Sequence, residues 1–161
     1  MTHYTTMASP VGELTLTGKD DALTGVWFAR YRGAPVARRG WTRNDTLPVL
    51  LQARRELDEY FAGKRQRFGI KLDAQGTEFQ RAVWRELLRI SFGRTSTYGA
   101  LAAAIGKPAA ARAVGAAVGA NPISIVVPCH RIVGSNGALT GFGGGLDRKT
   151  TLLQLEGALL A

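Results

Sequence analysis

The sequence predicts two small domains: an α/β N-terminal domain with a small antiparallel sheet, and a mainly α C-terminal domain of helix-turn-helix outline. Three observations carry that expectation. Residues 4–31 read as strands and turns, residues from Gly76 onward carry helical apolar stripes, and Gly106-Lys107-Pro108 separates two Ala-rich segments. With 161 residues, 45% of them hydrophobic, the chain can bury a real core in one domain or two. Its 20% charged residues argue against wholesale disorder. No apolar run approaches the roughly 20 residues of a membrane-spanning helix.

In chain order, YTTMASPVGELTLTG alternates around a Ser-Pro-x-Gly turn, and ALTGVWFAR supplies a second β-like run. Residues 32–46 are basic and polar with Gly and Pro, and read as a surface loop. A helix is expected from near Leu47, capped by Asp45 or Thr46, with Pro48 in its first turn. Leu50, Leu57 and Phe61 form its apolar face and Gly63 its stop. A short extended piece around Phe68–Leu72 leads to a domain boundary, giving domains 1–73 and 74–161. Thr77-x-x-Gln80 fits a capping box, and Phe79, Val83, Trp84, Leu87 and Leu88 make a stripe ending near Gly93. The segments TYGALAAAIG and PAAARAVGAAVGAN then form the helix-turn-helix outline. Ala109–Gly119 has almost no large side chains, which suits either close packing in a core or close approach of an exposed helix to another surface. Arg112 favours the second, because it must project outward or find a partner. ISIVV reads as a strand or extended segment. The Gly-rich run 134–145 fits either a loop passing close to a ligand or a hairpin connection. A last helix is expected from Asp147, as cap, to Glu156, stopped by Gly157. The C-terminal domain is expected to be of the winged-helix type.

Charge narrows the partner. The chain carries 21 basic and 12 acidic residues, a net +9. No acidic residue lies between Glu86 and Asp147, an interval that holds Arg89, Arg94, Lys107, Arg112 and Arg131. Nucleic acid is therefore the leading partner. The N-terminus lacks the basic start and apolar stretch of a secretory signal, and one cysteine cannot form an internal disulfide. Both observations make the cytoplasm the expected compartment.

Cys129 is the one thiol, set between Pro128 and His130 with Arg131 beyond. Cysteine reacts as the thiolate, which neighbouring cations or a histidine base make cheaper to form. A lone cysteine is more often a small buried hydrophobe, so the dipeptide by itself decides little. One Cys and two His cannot furnish the usual structural zinc set. PCHRIV, preceded by ANPISIVV and followed by GALTGFGGGLDRKTTLLQLEG, resembles the active-site signature of the O6-alkylguanine-DNA alkyltransferase family. YGALA, AARAVG, NP, PCHR, GG and LEG occur in the family's order and spacing. The likeness is close over 76–161 and looser over 1–75, where SPVGELTL and ELDEYFAG carry it.

The resemblance implies an RNase H-like N-terminal domain and direct, single-turnover repair of O6-alkylguanine in double-stranded DNA, with O4-alkylthymine as a further substrate to test. Cys129 would accept the alkyl group, His130 would draw off its proton through a water, and Glu156 would orient His130. Asn121 would brace the turn before Cys129, and Tyr98 would donate a proton or hydrogen bond to guanine. Ile132, Phe142 and Gly143 would line the base pocket. Arg112 would fill the gap left by the flipped nucleotide, with Ala113, Ala116 and Gly119 entering the minor groove and Arg94 near the DNA. No cofactor, metal or membrane is implied, and the protein would be a monomer in solution, with cooperative loading on DNA open. Phe142 stands where relatives often have tyrosine, so it is assigned to the pocket wall alone. His3 has no cysteine partners in its domain, so no zinc is expected there. A damage-binding module, a turnover cysteine hydrolase and a sequence-reading transcription factor are the competing classes; Cys129 disfavours the first and the small-residue helix the last.

Overall fold

The computed structural model describes residues 1–29, 40–139, 142 and 145–159. The chain divides into two compact units, Met1–Ala74 and Gln75–Ala161.

In the first unit, β1 (His3–Met7), β2 (Leu14–Lys19) and β3 (Ala22–Phe28) form an antiparallel meander, with β4 (Thr42–Arg43) added in parallel beside β1. The Ser9–Gly12 turn closes the first hairpin through Gly12 N–H donating to the Ser9 carbonyl at 3.0 Å, and Ser9 Oγ donating to the Gly12 carbonyl at 2.6 Å. Leu14, Leu16, Leu23, Val26 and Phe28 are buried, as are Leu50, Ala53, Leu57 and Tyr60 of α1 (Pro48–Phe61). Gly18 sets how closely α1 lies on β2: a Cβ there would stand 3.0 Å from Val49 Cγ1 and 3.2 Å from Leu50 Cδ2.

Two expectations for this unit are corrected. The stretch read as loop to residue 46 contains β4, stabilised because Arg43 reaches both Asp45 and Thr6; residues 30–39 of that stretch lie outside the described residues. Neither Asp45 nor Thr46 caps α1, whose N-cap is Leu47 without a side-chain bond. Asp45 instead accepts from Thr5 Oγ1 at 2.7 Å and from Arg43 Nε at 3.0 Å. The apolar face of α1 uses Tyr60, not Phe61, as its last buried ring.

The second unit is helical. Thr77 and Gln80 form the expected capping box at the start of α2 (Glu78–Leu87). Val83, Trp84 and Leu87 are buried, whereas Leu88 is 48% exposed and outside the stripe assigned to it. Thr97 caps α3 (Tyr98–Ala104), accepting from Ala100 N–H at 3.1 Å. A turn with Gly106 and a 3-10 segment, Pro108–Ala110, leads into α4 (Ala111–Gly119). Trp84 Nε1 donates to the Ala117 carbonyl at 2.8 Å, pinning α4 to α2. Two-residue strands β5 (Ser96–Thr97) and β6 (Ile132–Val133) pair in parallel. The last helix, α5 (Leu146–Leu155), starts one residue earlier than expected with Gly145 as N-cap, and Asp147 lies in its first turn. Among the described residues no helix is long and apolar enough to cross a membrane.

Candidate active site around Cys129

The segment before Cys129 is a turn, not the extended strand its β-branched composition suggested. Asn121 imposes this: its Oδ1 accepts from Ile123 N–H at 3.0 Å and its Nδ2 donates to the Val127 carbonyl at 2.8 Å. Val127 N–H in turn donates to the Ile123 carbonyl at 2.9 Å, and Ile125 is held at φ +73°, where a β-branched residue is strained. Residues 121–133 are buried throughout. Local side-chain bonding to the backbone has overridden strand propensity.

The chain leaves this turn as a 3-10 helix, Cys129–Arg131, which carries three consecutive functional side chains into the interior. His130 Nε2 lies 2.7 Å from Glu156 Oε2, and both side chains are fully buried. Arg131 donates Nε to Glu156 Oε1 at 2.8 Å, Nη2 to Oε2 at 3.0 Å and Nη1 to the Ile90 carbonyl at 2.6 Å. Lys149 of α5, 1% exposed, donates to the Ile132 carbonyl at 2.5 Å. Its Nζ also stands 6.0 Å from the centroid of the Phe142 ring.

Burial governs the ionisation of this cluster. Desolvation pushes the Cys129 thiol above its ordinary value of 9.0, against the pull of Asn121, Lys149 and Ser124. His130 is pushed below 6.5 by desolvation, opposed by Glu156 and reinforced by Arg131 and Lys149. Desolvation also lowers Lys149 from 10.5. Lys149 does make the thiolate cheaper to form, as expected of a neighbouring cation, but desolvation is the larger effect. The site rests as thiol beside neutral imidazole, because a buried medium disfavours charge on both. His130 Nδ1 is buried with no hydrogen-bond partner among the described residues.

The remaining expected residues divide by position. Asn121 and Ile132 are buried in the same cluster as Cys129. The Ile132 carbonyl accepts from Lys149. Tyr98 is the first residue of α3, half-buried, 3.7 Å from where a Cβ on Gly115 would stand. Arg112, Ala113, Ala116 and Gly119 are all exposed on α4, while Val114, Ala117 and Val118 are buried. One face of this helix packs and its small-residue face is open. Arg94 is exposed in the turn after α2. Phe142 is half-buried, and Gly143 lies outside the described residues.

Arg131 as a partner of Glu156, and Lys149 as part of the cluster, were not foreseen. The signal for Lys149 was present, since 149, 152, 153 and 156 share one face of a helix and Leu152 and Leu153 are apolar. Among the described residues no group of three or more His, Cys, Asp or Glu side chains is gathered as a metal site would require.

A buried cysteine next to a buried His–Glu pair, in the same unit as an open, arginine-bearing, small-residue helix, defines a protein of helix-turn-helix outline with a sheltered thiol. Comparison with known proteins makes the class particular. Residues 2–74 match the 6-O-methylguanine DNA methyltransferase ribonuclease-like domain, and residues 78–158 the 6-O-methylguanine DNA methyltransferase DNA binding domain. The methylated-DNA–protein-cysteine methyltransferase of Mycolicibacterium paratuberculosis is 53% identical over 97% of this chain and 93% of its own. That of Haemophilus influenzae is 47% identical over 96% and 86%. The crystal structure of Mycobacterium tuberculosis OGT in complex with DNA superposes with a TM-score of 0.89 at 46% identity, covering 97% of this chain and 93% of that one. The chain belongs to the 6-O-methylguanine DNA methyltransferase family.

Proposed function

We propose that this protein is a methylated-DNA–protein-cysteine methyltransferase that repairs O6-alkylguanine in double-stranded DNA by irreversible transfer of the alkyl group to Cys129. The observation that carries this reading is the buried Cys129-His130-Glu156 cluster within a chain of this family. Guanine O6 lies inside the stack, so the base must leave the duplex, at a cost of a few kcal/mol, before its alkyl carbon can meet a thiol. Arg112 enters the gap, while Ala113, Ala116 and Gly119 let α4 approach the minor groove closely. Arg94 and the acid-free interval add attraction for phosphate.

In the pocket, Glu156 accepts from His130 Nε2–H, which leaves Nδ1 as the base. The thiol proton passes to Nδ1 by way of a bridging water. The thiolate then attacks the alkyl carbon in line, forming an S–C bond as the C–O6 bond breaks, and both electrons of that bond stay on O6. Tyr98 hydrogen-bonds the guanine as this charge develops, and one proton gained by the base balances the one lost by the thiol. Ile132, Phe142 and Gly143 enclose the base, and Asn121 holds the turn that aims Cys129. The thioether has no route to hydrolysis, so each molecule acts once. A free thiol that must stay reduced suits the cytoplasm, which we assign. The protein acts as a monomer.

Intact mass after incubation with a duplex containing one O6-methylguanine tests this, with Cys129→Ser beside it. One methyl gained per molecule, mapped to Cys129 and absent from the variant, is the expected result. Tight binding without mass gain would make the protein a damage-binding module, and catalytic loss of the lesion with thiol titre preserved would make it a hydrolase.

A further inference from the structure

Glu156 serves two partners at once. His130 meets it from one side, and Arg131 grips both of its oxygens from the other. Arg131 is itself held in place: Nη1 donates to the Ile90 carbonyl, and the Phe92 ring centroid lies 5.9 Å from its Cζ. The turn that carries them approaches Glu156 closely, since a Cβ on Gly93, next after Phe92, would stand 3.2 Å from the Glu156 carbonyl oxygen. Arg131, 5% exposed, is held at two places, the end of α5 and the turn after α2.

Building on the alkyl-acceptor reading above, we propose that Arg131 is a positioning residue for the acceptor chemistry. By pairing with Glu156 it keeps that carboxylate from drawing a second proton onto His130, so that the imidazole rests neutral with Nδ1 able to take the thiol proton. The argument is one of charge balance in a buried site. A buried carboxylate whose one partner is an imidazole favours the carboxylate–imidazolium pair. Such a histidine already carries the proton it is meant to receive. A guanidinium does not give up its proton, so Glu156 and Arg131 together form a neutral unit. A proton added to His130 would then be a surplus buried positive charge. Among the described residues the charged and titratable groups around His130 are Lys149 of α5 and Glu156 at its C-cap, and Cys129 and Arg131 from its own turn. Of the three ions among them, Glu156 favours the imidazolium, while Arg131 and Lys149 oppose it.

A purely structural Arg131, stapling the 3-10 helix to the end of α2, predicts something different. Any substitution would then lower stability and rate together at every pH and leave the His130 titration where it was.

The test is an imidazole NMR titration of the full chain with isotope-labelled histidine. The chain has two histidines, and His3→Gln assigns the pair. In the wild type His130 is expected neutral at pH 7 with its proton on Nε2. In Arg131→Met its midpoint rises by about one pH unit or more, and in Arg131→Lys, which keeps the charge without the fork, it stays near the wild-type value. The acid limb of the alkylation rate follows the same order. Should Arg131→Met not fold, Arg131→Gln removes the charge while keeping a donor for Glu156. A wild-type imidazolium at pH 7, or a midpoint unmoved in the neutral variants, overturns the proposal. Mass gain at Cys129, measured on the same samples, keeps the two ideas apart. Normal alkylation of the wild type with an unmoved titration in the variants removes the role of Arg131 alone, and a shifted titration in the variants with no mass gain even in the wild type removes the acceptor reading alone.

Discussion

The Asn121 carboxamide reaches across six residues to Val127, donating to its carbonyl at 2.8 Å while accepting from Ile123 N–H. One side chain thus closes the turn that sets the position of Cys129 two residues later. Asn121→Ala would leave the Ile123 N–H buried without its acceptor, while the Val127 carbonyl keeps the Cys129 N–H at 2.8 Å, so the cost is about 1–3 kcal/mol. The expected result is a lower unfolding free energy and a slower transfer to Cys129, read by denaturant unfolding and by single-turnover mass gain. Unchanged values of both would mean that the turn is held by its buried β-branched residues instead.

This turn is also where sequence reading fell short, for a physical reason. Val126 and Val127 pull toward strand, and composition registers that pull. The opposing bonds come from Asn121, and a carboxamide's choice of backbone partners is invisible until the chain is folded. The capping box was legible because its two residues are fixed at a spacing of three. The exposed face of α4 was legible through Arg112, since no buried partner was at hand for it. The pairing of Arg131 with Glu156 spans 25 residues and depends on where α5 ends, which no local pattern encodes. Asp45 shows the converse: a good capping residue next to a helix was taken by Thr5 and Arg43 from other strands.

Stability should fall on both sides of a central pH range. His130 is depressed below 6.5 in the folded chain, so below about pH 6.5 the unfolded chain binds a proton that the folded one refuses. Stability therefore drops as pH falls through that value, by at most about 1.4 kcal/mol per pH unit from this group. Cys129 is raised above 9.0, so the unfolded thiol ionises first and stability drops again as pH rises through 9.0. Denaturant midpoints across pH should show a shallower acid limb in His130→Gln and a shallower alkaline limb in Cys129→Ser. Limbs identical to wild type would assign the pH dependence to other groups.

Arg112 is exposed on α4, so Arg112→Ala should change stability by less than about 0.5 kcal/mol. If the side chain replaces the extruded nucleotide, its loss should slow repair of duplex O6-methylguanine by roughly tenfold to a hundredfold. Reaction with the free base O6-benzylguanine needs no extrusion and should be nearly unaffected. Equal losses on the two substrates would place Arg112 in the pocket chemistry instead of the duplex.

Alkylation itself should loosen the fold. Cys129 is 6% exposed among Asn121, Ser124 and Lys149, and a methyl group added to a packed site typically costs about 1–3 kcal/mol. For a unit of this size each kcal/mol corresponds to roughly 4–8 °C in Tm. Thermal unfolding of the protein before and after stoichiometric methylation should show a fall of about 4–24 °C, and a larger fall with a benzyl group. A Tm that is unchanged or higher would mean the alkyl group enters space already shaped to hold it, and that the spent protein is not marked by loss of stability.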